Sequence, residues 1–106
     1  MAKFILIYTG GSMPETEAEQ TAVMKAWEGW FGSLGSALVD PGNPFTPMAK
    51  RIAGDGRVSD GPVGTPATGY TILKADSLDA AVGMAKGCPV LQGGAQISVY
   101  EIMPVM

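Results

Sequence analysis

Histidine is absent from the 106 residues, and there is one cysteine, Cys88. Without histidine, acid–base chemistry at neutral pH would have to rest on a carboxyl, phenol or amine moved far from its ordinary ionisation range. No nucleophile–base pair is recognisable either. A lone cysteine makes no intrachain disulfide, and the lack of a Cys/His cluster excludes a structural zinc site. No metal ion and no cofactor are expected, and a reducing, cytoplasmic setting fits this composition. Positive charge is also scarce: seven Lys and Arg stand against ten Asp and Glu, and the longest basic step is Lys50-Arg51. Nucleic acid would need a positive stripe, so it is not an expected partner. The apolar run Phe4-Ile5-Leu6-Ile7 stops at Thr9-Gly10-Gly11, far short of a signal-peptide core or a membrane span. Gly10-Gly11-Ser12 lacks the lysine and the glycine spacing of a phosphate-cradling P-loop.

What is present reads as one domain over residues 1–106, small enough that burial against a partner would help it. "KFILIY" (3–8) is apolar at nearly every position, the pattern of a strand covered on both faces. Pro14 to Glu17 open a helix, with carboxylates at its positive end. Across residues 16–34, Val23, Ala26, Trp27, Trp30, Phe31 and Leu34 recur at three- and four-residue steps and predict one broad buried stripe ending at Gly35. "SALVD" (36–40) reads as a second strand. The Gly- and Pro-rich segment 41–67 contains "KRIAGDGRVSD", a hairpin turned by Gly54-Asp55-Gly56. "YTILKA" (70–75) is a third strand. Asp76 or Ser77 then caps a helix over 78–86 that turns Leu78, Ala81, Val82 and Ala85 inward. The last strand is "QISVYEIM" (96–103).

The order β-α-β, β-α-β predicts an α+β fold of ferredoxin-like, split β-α-β type: a four-stranded antiparallel sheet with two helices on one face. Two helices cannot cover both faces of strands that are apolar at both parities. An uncovered face would be a large apolar patch, and a second copy packed on it gives a homodimer.

Few residues offer chemistry. Asp60, in "RVSDGPVGTPATGY" (57–70), is a candidate acid/base or ligand-orienting group, against the simpler role of Asp-Gly-Pro turn chemistry. Tyr8 and Tyr70 bracket two strands and could stand at one rim of the sheet, each with a phenol directed into a cleft. Trp27, Trp30 and Phe31 could wall an aromatic ligand, but Trp30 and Phe31 splay by about 100° on a helix, which leaves Trp27 as the best ligand contact and core packing as the general role. Met48, Lys50 and Arg51 precede the Gly54 turn, where a cation could hold a carboxylate or phenolate. Cys88 follows a helix C-terminus, where a thiolate is disfavoured.

"GSALVDPGNPF", "DGRVSDGP" and "GYTILKADSLDAAVGMAKGCPVLQGGAQISVYEIMPVM" together resemble the YCII-related proteins, in the branch with an Asp-Gly-Pro-Phe signature. The resemblance implies a dimeric α/β barrel with a cleft between the sheet and the helices or loops. In some relatives that cleft holds a histidine–aspartate dyad, and one branch member resembles a dehydrochlorinase acting on hydroxyquinols. Asp60 matches the aspartate. Val63 stands at the signature's Phe, the histidine is missing, and Trp27 falls near its place. Two readings follow: a homodimer whose cleft binds a small aromatic or hydroxylated metabolite through Tyr8, Trp27, Met48, Arg51 and Tyr70, or a YCII-like lyase using Asp60.

Overall fold

The computed structural model describes residues 1–12 and 14–105. The chain runs β1 (Ala2–Thr9), α1 (Glu17–Leu34), β2 (Leu38–Asp40), β3 (Lys50–Ile52), β4 (Val58–Asp60), β5 (Ala67–Ala75), α2 (Leu78–Ala85) and β6 (Gln96–Ile102). Four strands form one sheet in the order β2-β5-β1-β6, with every neighbouring pair antiparallel. Two crossover units, β1-α1-β2 and β5-α2-β6, interleave in it, which is the ferredoxin-like plan.

Period-two alternation sorts the sheet into two faces. Phe4, Leu6 and Tyr8 of β1 and Thr71, Leu73 and Ala75 of β5 are buried beneath Trp30 of α1 and Ala81 and Ala85 of α2. The opposite face presents Ile5, Ile7 and Ile72, half-buried by their neighbours, and among the described residues no helix lies on it. Local caps set the helix starts. Thr16 Oγ1 accepts from Glu19 N at 3.1 Å, and Ser77 Oγ, rather than Asp76, accepts from Ala80 N at 3.1 Å.

The apolar stripe of α1 is shorter than its sequence pattern. Trp30 is its only buried residue, with Trp27, Phe31 and Leu34 packed partly against the core, while Val23 is exposed. The first turn carries Glu17, Ala18, Glu19 and Gln20, so no large apolar side chain seats it on the sheet. Leu78 is exposed at the first turn of α2 instead of pointing inward; it borders a shallow apolar groove with Val82, Leu91, Ile97 and Val99. A 3-10 turn over Gly35–Ala37 delays β2 to Leu38, and β6 ends at Ile102, leaving Met103 exposed.

Beyond β2 the chain stays on β5: Phe45 N donates to Thr68 O at 2.9 Å, and Pro44 bridges to Gly69. β3 and β4 then form the expected hairpin, a separate two-stranded sheet with Lys50 opposite Asp60 and Ile52 opposite Val58. Its turn is held by Asp55 Oδ1 accepting from Arg57 N at 2.9 Å. The hairpin extends the chain into a flat body of 44 × 41 × 18 Å. The radius of gyration is 15.3 Å, against about 13 Å for a compact domain of this length. No helix of the described residues is long and apolar enough to cross a membrane.

Candidate functional site

The residues singled out from the sequence fall into three separate groups. The first lies in the core. Tyr8 Oη donates to Thr71 Oγ1 at 2.6 Å, and Thr71 Oγ1 donates to Pro41 O at 3.0 Å. Trp27 meets the Tyr8 ring edge-on, with centroids 5.8 Å apart. Trp30 and Phe31 both approach Trp27, and their own rings lie 5.5 Å apart, so long side chains converge where the helical angle alone would splay them. Trp30 Nε1 donates to Met84 O at 3.0 Å and ties α1 to the end of α2. Burial pushes the Tyr8 phenol far above its ordinary value, and burial likewise raises the Cys88 thiol beside it. This group is a packed, hydrogen-bonded core rather than a cleft wall.

The hydroxyl chain through Thr71 carries a clean prediction. Thr71→Val should cost about 1–3 kcal/mol, because Tyr8 Oη loses its buried acceptor. Tyr8→Phe combined with Thr71→Val should cost less than the sum of the two single changes, since no buried hydroxyl is then left unpaired. Urea denaturation of the four proteins measures the difference, and strict additivity would refute the coupling.

The second group sits on the open sheet face. Tyr8 pairs with Gly69, whereas Tyr70 pairs with Ile7, so the two tyrosines stand near one end of the sheet but on opposite faces. They do not share a cleft. Tyr70 Oη donates to Asp40 Oδ2 at 3.2 Å, the charge of Asp40 raises the Tyr70 phenol, and Phe45 stacks on the Tyr70 ring at 5.8 Å. Asp40 also accepts from Gly42 N at 2.8 Å. The sequence reading passed over Asp40, Phe45 and Thr71; the available signal was Asp40-Pro41-Gly42, a turn placing a carboxylate at a strand end.

The third group is on the hairpin. Asp60 ends β4, and its Oδ1 lies 3.0 Å from Lys50 Nζ, with the carboxylate side chain 92% exposed. Arg51 Nη1 donates to Asp60 O at 3.1 Å. Pro47, Met48, Ala49, Lys50, Asp60 and Gly61 line an open depression of about 640 Å³. Asp60 thus faces a hairpin depression, not a cleft between sheet and helices. Among the described residues no three metal-ligating side chains converge.

The arrangement of the whole chain has a counterpart among solved structures. It is similar to the 5-chloro-2-hydroxyhydroquinone dehydrochlorinase of Burkholderia phenoliruptrix AC1100, solved in complex with 2,5-dihydroxybenzoquinone. The TM-score is 0.53 at 18% identity, covering 94% of this chain and 93% of that one. No family model matches the chain, and no curated protein matches it. At this level of identity the likeness establishes a shared fold, the ferredoxin-like α+β plan.

Proposed function

We propose that the chain is a single YCII-related domain of the cytoplasm that works as a homodimer and binds a small hydroxylated aromatic metabolite without histidine-dependent catalysis. The observation that carries this reading is the hairpin depression. It brings the Met48 thioether together with a carboxylate and a cation, Asp60 and Lys50, along one open depression. A planar ring with two oxygens in para-type positions would rest on the Met48 thioether. One hydroxyl would donate to Asp60, and an ionised oxygen would face Lys50 or Arg51. The hydroxyquinone bound by the structural neighbour belongs to this chemical class. The face that carries Ile5, Ile7 and Ile72 supports the dimer reading.

The neighbour's dehydrochlorinase activity supports a second reading, in which Asp60 serves as the acid/base of a YCII-like enzyme. Titration with 2,5-dihydroxybenzoquinone, followed by its visible absorbance, tests both. Saturable binding is expected, weakened about ten-fold in Asp60→Asn and in Lys50→Met, the scale of one charge-assisted hydrogen bond. Asp60→Asn should barely move the melting temperature, because an exposed ion pair contributes only about 0–1 kcal/mol. Chloride release from a chlorinated hydroxyquinol that disappears in Asp60→Asn would select the enzyme. Absence of saturable binding, or equal affinity in all three proteins, would sink the site.

A further inference from the structure

The two edges of the main sheet are guarded differently. β2 is three residues long, its register with β5 shifts between Leu38 and Asp40, and Pro41 and Pro44 follow it. Short length, irregular pairing and proline are devices that keep an edge from pairing with another chain. β6, at the opposite edge, carries none of them. It is seven residues long, keeps unbroken register with β1 from Gln96 to Ile102, and contains neither proline nor lysine. Among the described residues no strand lies on its outer side.

The helix layer also stops short of this strand. Ile97, Val99 and Glu101 pair with Tyr8, Leu6 and Phe4, so they share the face that the helices cover. Ile97 and Val99 are nevertheless only half-buried, and with Leu78, Val82 and Leu91 they line an apolar groove along α2 that also reaches Lys86. α2 starts just past Ala75, the partner of Ala2, and its eight residues run back along the sheet. Leu78 therefore lies toward the Glu101 end of the groove and Lys86 toward the Ile97 end. Among the described residues neither Lys86 nor Glu101 stands within ion-pair distance of an opposite charge.

We propose that the β6 edge and this groove take an extended peptide segment of another protein, added to the sheet as a fifth strand. A row of unpaired backbone N–H and C=O groups is matched by another extended chain. Antiparallel addition continues the pairing that β6 already has with β1 and is the more stable sense. Side chains alternate along such a strand, so two apolar residues at alternate positions lean into the groove beside Val99 and Ile97. A basic residue before them meets Glu101, and an acidic residue after them meets Lys86. From its N-terminus the segment reads basic, apolar, apolar, acidic at every second position. The reading above places a second copy on the open face, which leaves this edge to a different chain; the proposal rests on that reading for the choice of occupant alone.

The test is titration of the capped peptide Lys-Thr-Val-Thr-Ile-Thr-Glu, labelled with fluorescein and followed by anisotropy. Saturable binding is expected, with backbone amide NMR shifts confined to Gln96–Ile102 and α2. Lys86→Glu should weaken it about three- to five-fold, the scale of one exposed ion pair, and a probe ending in Lys instead of Glu should recover the loss. Leu78→Ser should weaken it about ten-fold through lost apolar contact. Both residues are exposed, so neither change threatens the fold. N-methylation of the probe amides that face β6 should abolish binding while leaving every side chain in place. No saturable binding, binding that survives N-methylation, or shifts that fall on the hairpin or the open face would each overturn the proposal. So would β6 amides that are protected from hydrogen exchange in the free protein and lose that protection on dilution, since a second copy would then hold the edge. Sedimentation without peptide reads the open-face dimer separately: a monomer that still binds the probe sinks the dimer reading and leaves the edge site standing.

Discussion

Replacing Gly42 with alanine should lower the unfolding midpoint by more than about 10 °C, a loss of roughly 3 kcal/mol or more for a domain this size. Gly42 holds φ at +74°, and a Cβ there would lie 1.7 Å from Tyr70 O and 2.6 Å from Tyr70 C. Both obstructing atoms are backbone, so no side chain can swing aside. Relief requires lifting the segment off β5, which surrenders the bonds around it: Gly42 N to Asp40, Thr71 Oγ1 to Pro41 O, and Phe45 N to Thr68 O. Gly10→Ala is the control. Gly10 has nearly the same φ, +73°, but nothing lies within 4 Å of its Cβ position. Its cost is therefore the left-handed conformation alone, about 1 kcal/mol. Melting both variants at one protein concentration separates steric exclusion from conformational strain, since any association between copies would otherwise shift the midpoint. Equal midpoints for the two would show that the Gly42 contact does not constrain the fold.

The Gly42 case also marks where reading the sequence stops. Asp40-Pro41-Gly42 announces a turn locally, but the carbonyl it must avoid and the phenol its carboxylate receives belong to Tyr70, 30 residues beyond Asp40. Strand and helix order was legible because β1 is apolar at both parities and because Thr16, Ser77 and the Gly54-Asp55-Gly56 turn punctuate the chain. The faces of the two tyrosines were not legible. Tyr8 opposes Gly69 rather than Tyr70, and an offset of one residue in pairing sends a side chain to the other side of the sheet. No local pattern reports that register. Asp60 stands on the hairpin rather than between sheet and helices for a related reason: the hairpin was visible from its turn, but nothing within it says where it lies relative to the main sheet.

Folding stability should fall steeply in alkali, beginning near pH 9 and steepening near pH 10. The ordinary values are 9.0 for the Cys88 thiol and 10.0 for the Tyr8 phenol, and burial raises both in the native protein. Between the ordinary and the raised value, the unfolded chain has lost the proton and the native chain keeps it. Native protein then binds more protons, so stability decreases as pH rises, by about 1.4 kcal/mol per pH unit for each group. Below pH 9 both states are protonated and neither group contributes. Once the Tyr8 phenol is engaged, each further pH unit removes about 1.4 kcal/mol, a sizeable share of the roughly 5–15 kcal/mol that holds a domain folded. Urea midpoints measured from pH 8 to pH 11 would show the decline. Tyr8→Phe should reduce the steepening near pH 10 to what the Tyr70 phenol contributes, and Thr71 keeps its bond to Pro41 O in that variant. Cys88→Ala should delay the onset by about one pH unit, from the thiol's ordinary value to the phenol's. A wild-type midpoint that stays flat to pH 11 would mean that water reaches the phenol. The Tyr8–Thr71–Pro41 chain would then be a surface feature, and the core would have to be redrawn around Trp27 and Trp30.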